Sequence, residues 1–478
     1  MKKPLRVMKF GGTSVGDASC IARVAQIVRD ASRENPVVVV VSAMSGVTNR
    51  LVEAATRSQA GEHEEVASIF QALRKQHEVA LGALVRSGEK RAGLAKSLEK
   101  IFAEGERLCK GTALLKELTP RTLDSISSLG ERLSAPVVAS ALEEIGARSE
   151  AVDATEVIVT DSFHGGADPL MERTRERSQA RLLPLLQAGV IPVVTGFFGA
   201  SEEGVLTTLG RGGTDYSATI LGAALGADEI IIWTDVEGVL TADPRLVPDA
   251  RTIPEISYRE ATELAYFGAK VLHPKTLRAV VQAGIPVWIR NSFAPERTGT
   301  KITPQGRSNG GGVKALTAIR DVALVSIAGP EIVGVPDMLG RTFTTTAEVR
   351  ANVLLISQSS SQNEICFIIG AADAKRTVEA LRKEFAQDLA HEKVDHITVD
   401  RKIAIVAVVG ENMRGTPGVA GRTFNALGRE NVNIIAIAQG SSESNISFVV
   451  AEKDMKAALV ATHNEFALGA PGSSAKGS

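Results

Sequence analysis

Lys9, Gly11, Gly12, Thr13 and Ser14 put a cation, two glycines and two hydroxyls into one turn, directly after the first apolar run of the chain. Glycine lets a backbone approach an anion closely and lysine adds a point charge, which is the chemistry of a phosphate cradle. Leu5–Phe10 reads as a short strand, and Gly16–Ala31 carries helical apolar spacing (Ile21, Val24, Ala25, Ile27, Val28). The turn is therefore expected between a strand end and a helix N-terminus, where free N–H groups and the helix dipole favour negative charge. The plainer reading is a Gly-Gly turn with a Thr/Ser helix cap and a solvated Lys9. On the turn alone the two weigh evenly. No G-x-x-x-x-G-K-[ST] occurs in the chain and no G-x-G-x-x-G follows a strand, so a phosphate site here needs another architecture.

Five further segments join the first. Gly210-Arg211-Gly212-Gly213-Thr214-Asp215 is a second close-approach turn immediately before a helix. Arg211 offers a planar fork suited to a carboxylate, and Asp215 sits where a helix dipole stabilises its charge and where it can hold a cation such as Lys9. A plain N-cap explains Asp215 but not two Gly-Gly turns in one domain. Ser42 to Thr48 follows a run of five valines with small residues and hydroxyls, a strand-end loop of the kind where open α/β sheets bind ligands. Glu131 stands at a helix start, where it can neutralise an ammonium group or simply complement the dipole; alone, the second is favoured. Trp233 to Arg245 leaves a strand and turns twice, offering Thr234 and Asp235 to a nucleoside and Arg245 to its phosphates. Gly268 to Pro274 places Lys270 near a turn, solvated by default, with His273 structural rather than catalytic.

What is missing narrows the chemistry. The chain has no Ser/His/Asp set at a nucleophile elbow, no H-E-x-x-H and no cysteine–histidine pair. Phosphoryl transfer to a carboxylate needs no general base, because the acceptor is already an anion near neutral pH. It needs cations and N–H donors that hold two anionic groups in line, and this chain is rich in glycine loops, lysine and arginine.

The elements that must position these residues alternate. Strands are expected at Leu5–Phe10, Val37–Val41, Val190–Thr195, Glu229–Trp233 and Val287–Arg290. Helices are expected at Gly16–Ala31, Leu133–Ile145, Met171–Gln187, Thr214–Leu225 and Arg259–Phe267. The pattern implies an α/β domain with a mainly parallel sheet, and the polar, strand-free stretch 51–128 reads as a helical insertion. At 478 residues the chain is expected to form roughly two to four domains. A net charge of −1 without any Lys/Arg block argues against nucleic acid or an anionic membrane as partner. Cys20, Cys109 and Cys366 stand far apart, which fits a reducing compartment and no zinc site. The start Met1-Lys2-Lys3 is not followed by an unbroken apolar stretch, so no secretory signal is read and a cytoplasmic protein is expected.

Residues 294–315 are turn-rich and mark a boundary, after which the chain repeats itself. Gly340-Arg341-Thr342-Phe343 recurs as Gly421-Arg422-Thr423-Phe424, Gln358/Ser360/Ser361/Ile365/Phe367 as Gln439/Ser441/Ser442/Ile446/Phe448, and Glu384-Phe385 as Glu465-Phe466, all offset by 81 residues. Three blocks in constant register mean duplication. Each copy reads β-α-β-β-α, the second as Ile403–Val409, Val419–Arg429, Ile434–Ala438, Ile446–Val450 and Met455–Ala467. Paired α+β units suggest a ligand-sensing module, the alternative being a purely structural dimerisation domain. Gln358 and Gln439, at equivalent strand ends, suit recognition of a small zwitterion.

Taken together, Lys9–Val15, Ser42–Thr48, Ser128–Ala135, Arg211–Ser217, Trp233–Arg245 and Gly268–Pro274 resemble the aspartate kinases of the amino acid kinase family. The duplicated unit resembles their paired ACT domains. The resemblance implies a mainly parallel α/β kinase domain with a helical insertion (1–293), a linker (294–315) and two βαββαβ-type ACT domains (316–400 and 401–468); it leaves out the Gly/Ser/Ala-rich end, 469–478, whose composition reads as a disordered tail. It implies ATP-dependent phosphorylation of the aspartate side-chain carboxylate, the first step toward lysine, methionine and threonine. Lys9, Gly11 and Gly12 would then stabilise the transferring phosphoryl group, with Asp215 organising Lys9. Ser42 and Thr48 would contact the reacting carboxylate, Glu131 the substrate ammonium and Arg211 its α-carboxylate, with Gly212, Gly213 and Thr214 in the same loop. Thr234, Asp235, Leu240, Arg245, Lys270 and Val271 would hold ATP, with magnesium bridging its phosphates and no metal ligand assigned to the protein.

One position departs from the family pattern: Leu240 stands where many members carry Tyr. The text around Gln358, Ser360, Gln439 and Ser441 looks more like the threonine-responsive branch than the lysine-responsive one, so threonine is the expected effector and lysine the runner-up. A homodimer through the repeats is expected, with a tetramer as the next assembly, and no fused homoserine dehydrogenase. The rivals are an acetylglutamate or glutamate 5-kinase, and a catalytically inactive amino-acid sensor, against which Lys9, Arg211 and Asp215 count.

Overall fold

The structure, a computed structural model, describes residues 3–268, 272–307, 312–330, 336–358, 364–440 and 443–469. The chain forms two compact units. The first comprises Met1–Val239, Thr252–Thr262 and Val271–Arg307; the second comprises Leu240–Arg251, Glu263–Lys270 and Ser308–Ser478.

The first unit is built on an eight-stranded sheet. Its strands are β1 (Arg6–Phe10), β2 (Val37–Val41), β3 (Ser149–Val152), β4 (Ile191–Thr195), β7 (Glu229–Thr234), β8 (Glu255–Ser257), β9 (Val287–Asn291) and β10 (Thr300–Thr303), while β5 (Phe198–Ala200) and β6 (Leu206–Thr208) pair apart. The order is β3-β4-β2-β1-β7-β9-β10-β8, and every pairing from β3 across to β9 is parallel. A parallel sheet is covered on both faces, which is why β2 can be five valines, all buried. The chain steps from β1 to one side and later returns to the other, so β1 is the point where strand order reverses and where a crevice opens beyond the strand ends.

The helices of this unit are α1 (Ala18–Glu34), α2 (Val47–Ala60), α3 (His63–Leu84), α4 (Gly88–Leu115), α5 (Pro120–Ser127), α6 (Leu129–Glu144), α7 (Met171–Gln187), α8 (Gly213–Leu225), α9 (Tyr258–Tyr266) and α10 (Pro274–Val281). Helices α2 to α5 are the expected insertion. They share one core with the sheet, in which Phe70, Leu73 and Phe102 join Met8, Phe10, Ile21 and Val39. Two sequence expectations are corrected. Helix α1 starts at Ala18 with Asp17 as its cap, accepting from the Cys20 N–H, so neither Thr13 nor Ser14 caps it and its dipole does not reach Gly11 and Gly12 directly. The segment 294–315, read as linker, contains β10, whose four residues were hidden between Gly299 and Pro304.

The second unit carries the duplication as one six-stranded antiparallel sheet. Its elements are β11 (Ala315–Ala328), α11 (Pro336–Glu348), β12 (Val353–Gln358), β13 (Glu364–Gly370), α12 (Ala374–Glu384), α13 (Ala386–Ala390), β14 (His396–Val409), α14 (Val419–Arg429), β15 (Ala436–Ala438), β16 (Asn445–Ala451) and α15 (Met455–Glu465), with strand order β12-β13-β11-β14-β16-β15. The 14-residue strands β11 and β14 occupy equivalent positions in the two copies and lie antiparallel at the centre. Residues 322–328 of β11 pair with β13, whereas its residues 315–319 pair only with 405–409, beside β16. Each long strand therefore completes the other copy's sheet, bent by a bulge at Asp321 (φ +55°). A boundary drawn between residues 400 and 401 cuts the chain but not this shared sheet.

Two segments expected in the first domain belong to the second unit. Thr241 accepts from the Leu316 N–H at 2.8 Å and pairs its hydroxyl with His463 Nε2 at 3.0 Å, both buried. The Thr317 hydroxyl donates to the Phe267 carbonyl at 2.9 Å. The tail 470–478 lies outside the described residues.

Candidate active site

Beyond the C-terminal ends of the strands in the first unit lies a cavity of about 510 Å³. Lys9, Ser42, Thr48, Glu131, Arg211, Gly212, Gly213, Thr214 and Asp215 all line it, joined by Asp124, Phe197 and Thr208 among others. Three helices begin at its wall. Thr48 is in the first turn of α2, Glu131 of α6, and Thr214 and Asp215 of α8. Their free N–H groups and positive dipole ends make the cavity receptive to anions.

Lys9 leaves β1 almost buried, 8% exposed, with its Nζ 2.5 Å from Asp215 Oδ1. The turn after it is held by the Gly11 N–H, which donates to the Trp233 carbonyl at 3.2 Å, and by the Ser45 hydroxyl, which donates to the Gly12 carbonyl at 3.1 Å. A side chain at either glycine would be tightly crowded. A Cβ on Gly11 would lie 3.1 Å from Lys9 Nζ, and one on Gly12 would lie 3.2 Å from the Ala43 carbonyl oxygen. At the second turn Gly212 needs its positive φ (+73°), and a Cβ there would strike His273 Cβ at 2.7 Å. His273 thus acts structurally, its Nδ1 capping α10 at the Lys275 N–H.

Glu131 is the most unusual group in the cavity. It is 2% exposed and its Oε2 has no hydrogen-bond partner. Burial pushes its carboxyl up to about 8, against the opposing pull of the Ala43 N–H and the Ser42 hydroxyl. The ordinary reading of Glu131, a surface acid complementing a helix dipole, fails here because the position is sealed. A buried carboxyl with an unpartnered oxygen can take a cation in place of its proton. Ser42 itself is fixed through its carbonyl, which accepts from the Ser134 hydroxyl at 2.6 Å.

Asp124 and Phe197 are among the residues of this wall that were not anticipated. Asp124, 3% exposed, accepts from the Thr208 hydroxyl (2.5 Å), from His164 Nδ1 (2.8 Å) and from the Gly165 N–H (3.1 Å), so it ties α5, β6 and the loop at 164–165 together. Its only sequence signal was proximity to the Ser128–Ala135 segment. Phe197 adopts φ +76°, a strained conformation for a bulky residue, and lies where a Cβ on Gly213 would come within 2.8 Å of its ring.

The nucleotide residues expected from sequence are not drawn into this cavity. Thr234 ends β7, beside Lys9's strand, and its hydroxyl bonds the exposed Asp235 at 3.2 Å. Leu240 and Arg245 fall in the second unit, with Arg245 exposed and its Nη2 paired to Asp243 at 2.6 Å. Lys270 and Val271 lie outside the described residues, as do Ser360 and Ser441. Gln358 ends β12 and Gln439 follows β15, both exposed on the edge strands of the second sheet. Among the described residues, no group of three or more His, Cys, Asp or Glu side chains is placed to hold a metal ion, and no helix is long and apolar enough to cross a membrane.

Known proteins share this arrangement. Residues 4–291 match the amino acid kinase family, and residues 325–385 and 406–466 each match an ACT domain. Aspartokinase 1, chloroplastic, of Arabidopsis thaliana is 34% identical over 471 residues, covering 96% of this chain and 80% of its own. Bifunctional aspartokinase/homoserine dehydrogenase 1, chloroplastic, of the same plant is 35% identical over 468 residues, 97% of this chain and 51% of the relative; the chain spans about half the length of such relatives. The crystal structure of E. coli aspartokinase III with aspartate and ADP (R-state) superposes with a TM-score of 0.80 at 31% identity, over 96% of this chain and 99% of that one. The structure of that enzyme with lysine and aspartate (T-state) gives a TM-score of 0.79 at 30% identity, over 97% and 99%.

Proposed function

As the chain belongs to the amino acid kinase family, on the aspartokinase branch, we propose that it transfers the γ-phosphoryl group of ATP to the side-chain carboxylate of L-aspartate, giving 4-phospho-L-aspartate. One observation carries the reading: a single cavity joins the Lys9–Asp215 pair to a sealed, open-ended Glu131 and to Arg211. The first suits a transferring phosphoryl group; the other two suit the α-ammonium and α-carboxylate of a free amino acid. An N-acylated substrate would bring no cation to Glu131, which disfavours acetylglutamate.

Aspartate binds with its ammonium at Glu131 and its α-carboxylate on the Arg211 fork. Ser42 and Thr48 then orient the side-chain carboxylate toward the phosphate turn. One carboxylate oxygen attacks the γ-phosphorus, the new P–O bond forms, and the bond to the β,γ-bridging oxygen breaks with its electron pair leaving on ADP. No proton moves. Lys9 and the N–H groups at Gly11 and Gly12 hold the equatorial oxygens, and Asp215 keeps the Lys9 ammonium aimed. The glycine turn fits such a group, since any side chain there would fill the space over Lys9. Thr234, Asp235, Leu240, Arg245, Lys270 and Val271 would hold the nucleotide, and magnesium brought in with it would supply charge neutralisation for its phosphates.

The product is a mixed anhydride that feeds lysine, threonine and methionine formation, in the cytoplasm, from a homodimer joined through the repeats. β12 and β15 end the six-stranded sheet, and edge strands can pair with a second copy, which supports that assembly. Threonine acts as feedback inhibitor through Gln358 and Gln439, with lysine as the alternative. A hydroxamate assay with ATP and aspartate, glutamate or acetylglutamate, each with and without threonine and lysine, tests the substrate and the regulation. Aspartate-specific product inhibited by threonine is expected; activity only with another acceptor would overturn the substrate, and indifference to both amino acids would overturn the regulation.

A further inference from the structure

A second cavity, of about 290 Å³, opens in the first unit between α1 and strands β1, β7 and β9, and nothing in the reaction above uses it. Strand register explains its lining. Arg6 and Met8 on β1, Ile231 and Trp233 on β7, and Arg290 on β9 stand on one sheet face, opposite Arg23, Ile27 and Ala31 of α1. The floor is apolar and the rim cationic.

The charges around it do not balance. Arg6 is matched by Glu229 at 2.5 Å, and Glu229 also accepts from Trp288 Nε1 at 3.0 Å. Asp30 is engaged by Gln26 at 2.8 Å and Arg33 at 3.5 Å. Arg290 has no carboxylate partner among the described residues. Its Nη2 donates to the Pro295 and Arg297 carbonyls, at 3.2 and 3.3 Å, and its guanidinium lies 5.0 Å from the Trp233 ring centroid. Its buried Nε has no acceptor. Neither has Trp233 Nε1, although that side chain is 3% exposed. Glu229, already paired with Arg6, is the carboxylate that offsets Arg290 from a distance, and two sealed N–H donors beside a cation without a direct ion pair are costly unless something accepts from them.

We propose that this cavity is a second ligand site, taking a small organic acid whose carboxylate accepts from Arg290 Nε and Trp233 Nε1 while its hydrocarbon body lies on Met8, Ile27 and Ile231. The volume has room for roughly ten water-sized groups. A bare inorganic anion would leave the apolar floor uncovered, and a neutral molecule would leave the cation unmatched.

The chain has two tryptophans, Trp233 and Trp288, so Trp288→Phe leaves the one that lines the cavity as sole reporter. In that background, cyclohexanecarboxylate is titrated into the full-length protein at saturating aspartate, against cyclohexanecarboxamide and sulfate. A saturable change in Trp233 emission is expected, with a Kd of about a millimolar for so small a probe. Arg290→Met and the cavity-filling Ala31→Leu should each weaken it by about tenfold or more, whereas Arg211→Ala in the aspartate cavity should leave it unchanged. Ala31→Leu keeps Arg290 in place and so stands if Arg290→Met fails to fold, which thermal melting reports. No saturable change, equal binding of the carboxamide or of sulfate, or unaltered binding to the Ala31→Leu protein would overturn the proposal.

Discussion

The aspartate half of the candidate site and its nucleotide half are built differently. The first is a set of buried groups in one compact unit: Lys9 is 8% exposed, Glu131 is 2%, and three helix starts and two glycine turns fix their positions. The residues proposed to hold the nucleotide are less enclosed: Thr234 ends β7, and Asp235 and Arg245 are exposed. Preorganised charge is what phosphoryl transfer needs, and it has to be sealed from water to act strongly. A nucleotide can instead be gathered by loops that move. Substitutions in the two halves should therefore separate into effects on chemistry and effects on ATP affinity.

The largest effect is expected at Lys9. Lys9→Ala should lower kcat by about 10²–10³-fold, the range for deleting one preorganised charge at a transition state, with the KM for aspartate nearly unchanged. Asp215→Asn should follow in the same direction by a smaller factor, because it loosens Lys9 rather than removing it. Steady-state kinetics on both variants measures this, and a change confined to the KM for ATP would put Lys9 in the nucleotide half.

Glu131 comes next. Glu131→Gln should raise the KM for aspartate by about 30-fold, the scale of one charge-assisted hydrogen bond, and spare the KM for ATP. Its titration gives a second signature. Folding raises the carboxyl from 4.5 to about 8. Below the lower value the group is protonated in folded and unfolded chains alike; between the two only the unfolded chain ionises, so the stability of the free protein falls as pH rises and levels off above the higher value. Urea melts across this window should show that slope, and Glu131→Gln should remove it. Aspartate binding near neutrality should drive the proton off, so calorimetry in buffers of different ionisation enthalpy should detect proton release that the variant lacks.

This half was also the more legible in sequence. Lys9, Gly11, Gly12, Arg211 and Asp215 advertise themselves through glycine turns flanked by charge, and the strands between them were continuous valine or isoleucine runs. What stayed hidden were facts of burial and pairing. Nothing local distinguishes Glu131 from a surface acid, because its isolation comes from packing contributed by distant segments. Asp124 sat in a stretch readable only as polar helix. The duplication was plain from its 81-residue register, yet the crossing of β11 and β14 into each other's copy was not, since that depends on strand pairing rather than on any residue type. Short strands such as β8 and β10, of three and four residues, carry too little periodicity to be seen.

In the nucleotide half, Arg245 offers the first test. It is exposed and paired to Asp243, an interaction that holds its geometry but adds little energy. Arg245→Ala should raise the KM for ATP by about fivefold through loss of one phosphate contact, leaving the KM for aspartate and the melting temperature close to wild type. If aspartate affinity falls in parallel, the two proposed sets of residues are not separable.

The smallest effect tests the one departure from the family pattern. Leu240 is half-buried and begins the segment Leu240–Arg251, which packs in the second unit through Thr241, Leu316 and His463. An aliphatic side chain there can contact a base, but it cannot stack on it or offer it a hydroxyl. Leu240→Tyr adds both, and an aromatic contact beyond simple burial is worth about 0.5–1.5 kcal/mol where geometry is good. Because the neighbouring Thr241 is already fixed, little additional ordering should offset that gain. The expected result is ATP binding tighter by about two- to threefold, with kcat unchanged, measured by calorimetry with a non-hydrolysable nucleotide. Unchanged or weaker binding would mean that Leu240 does not face the base.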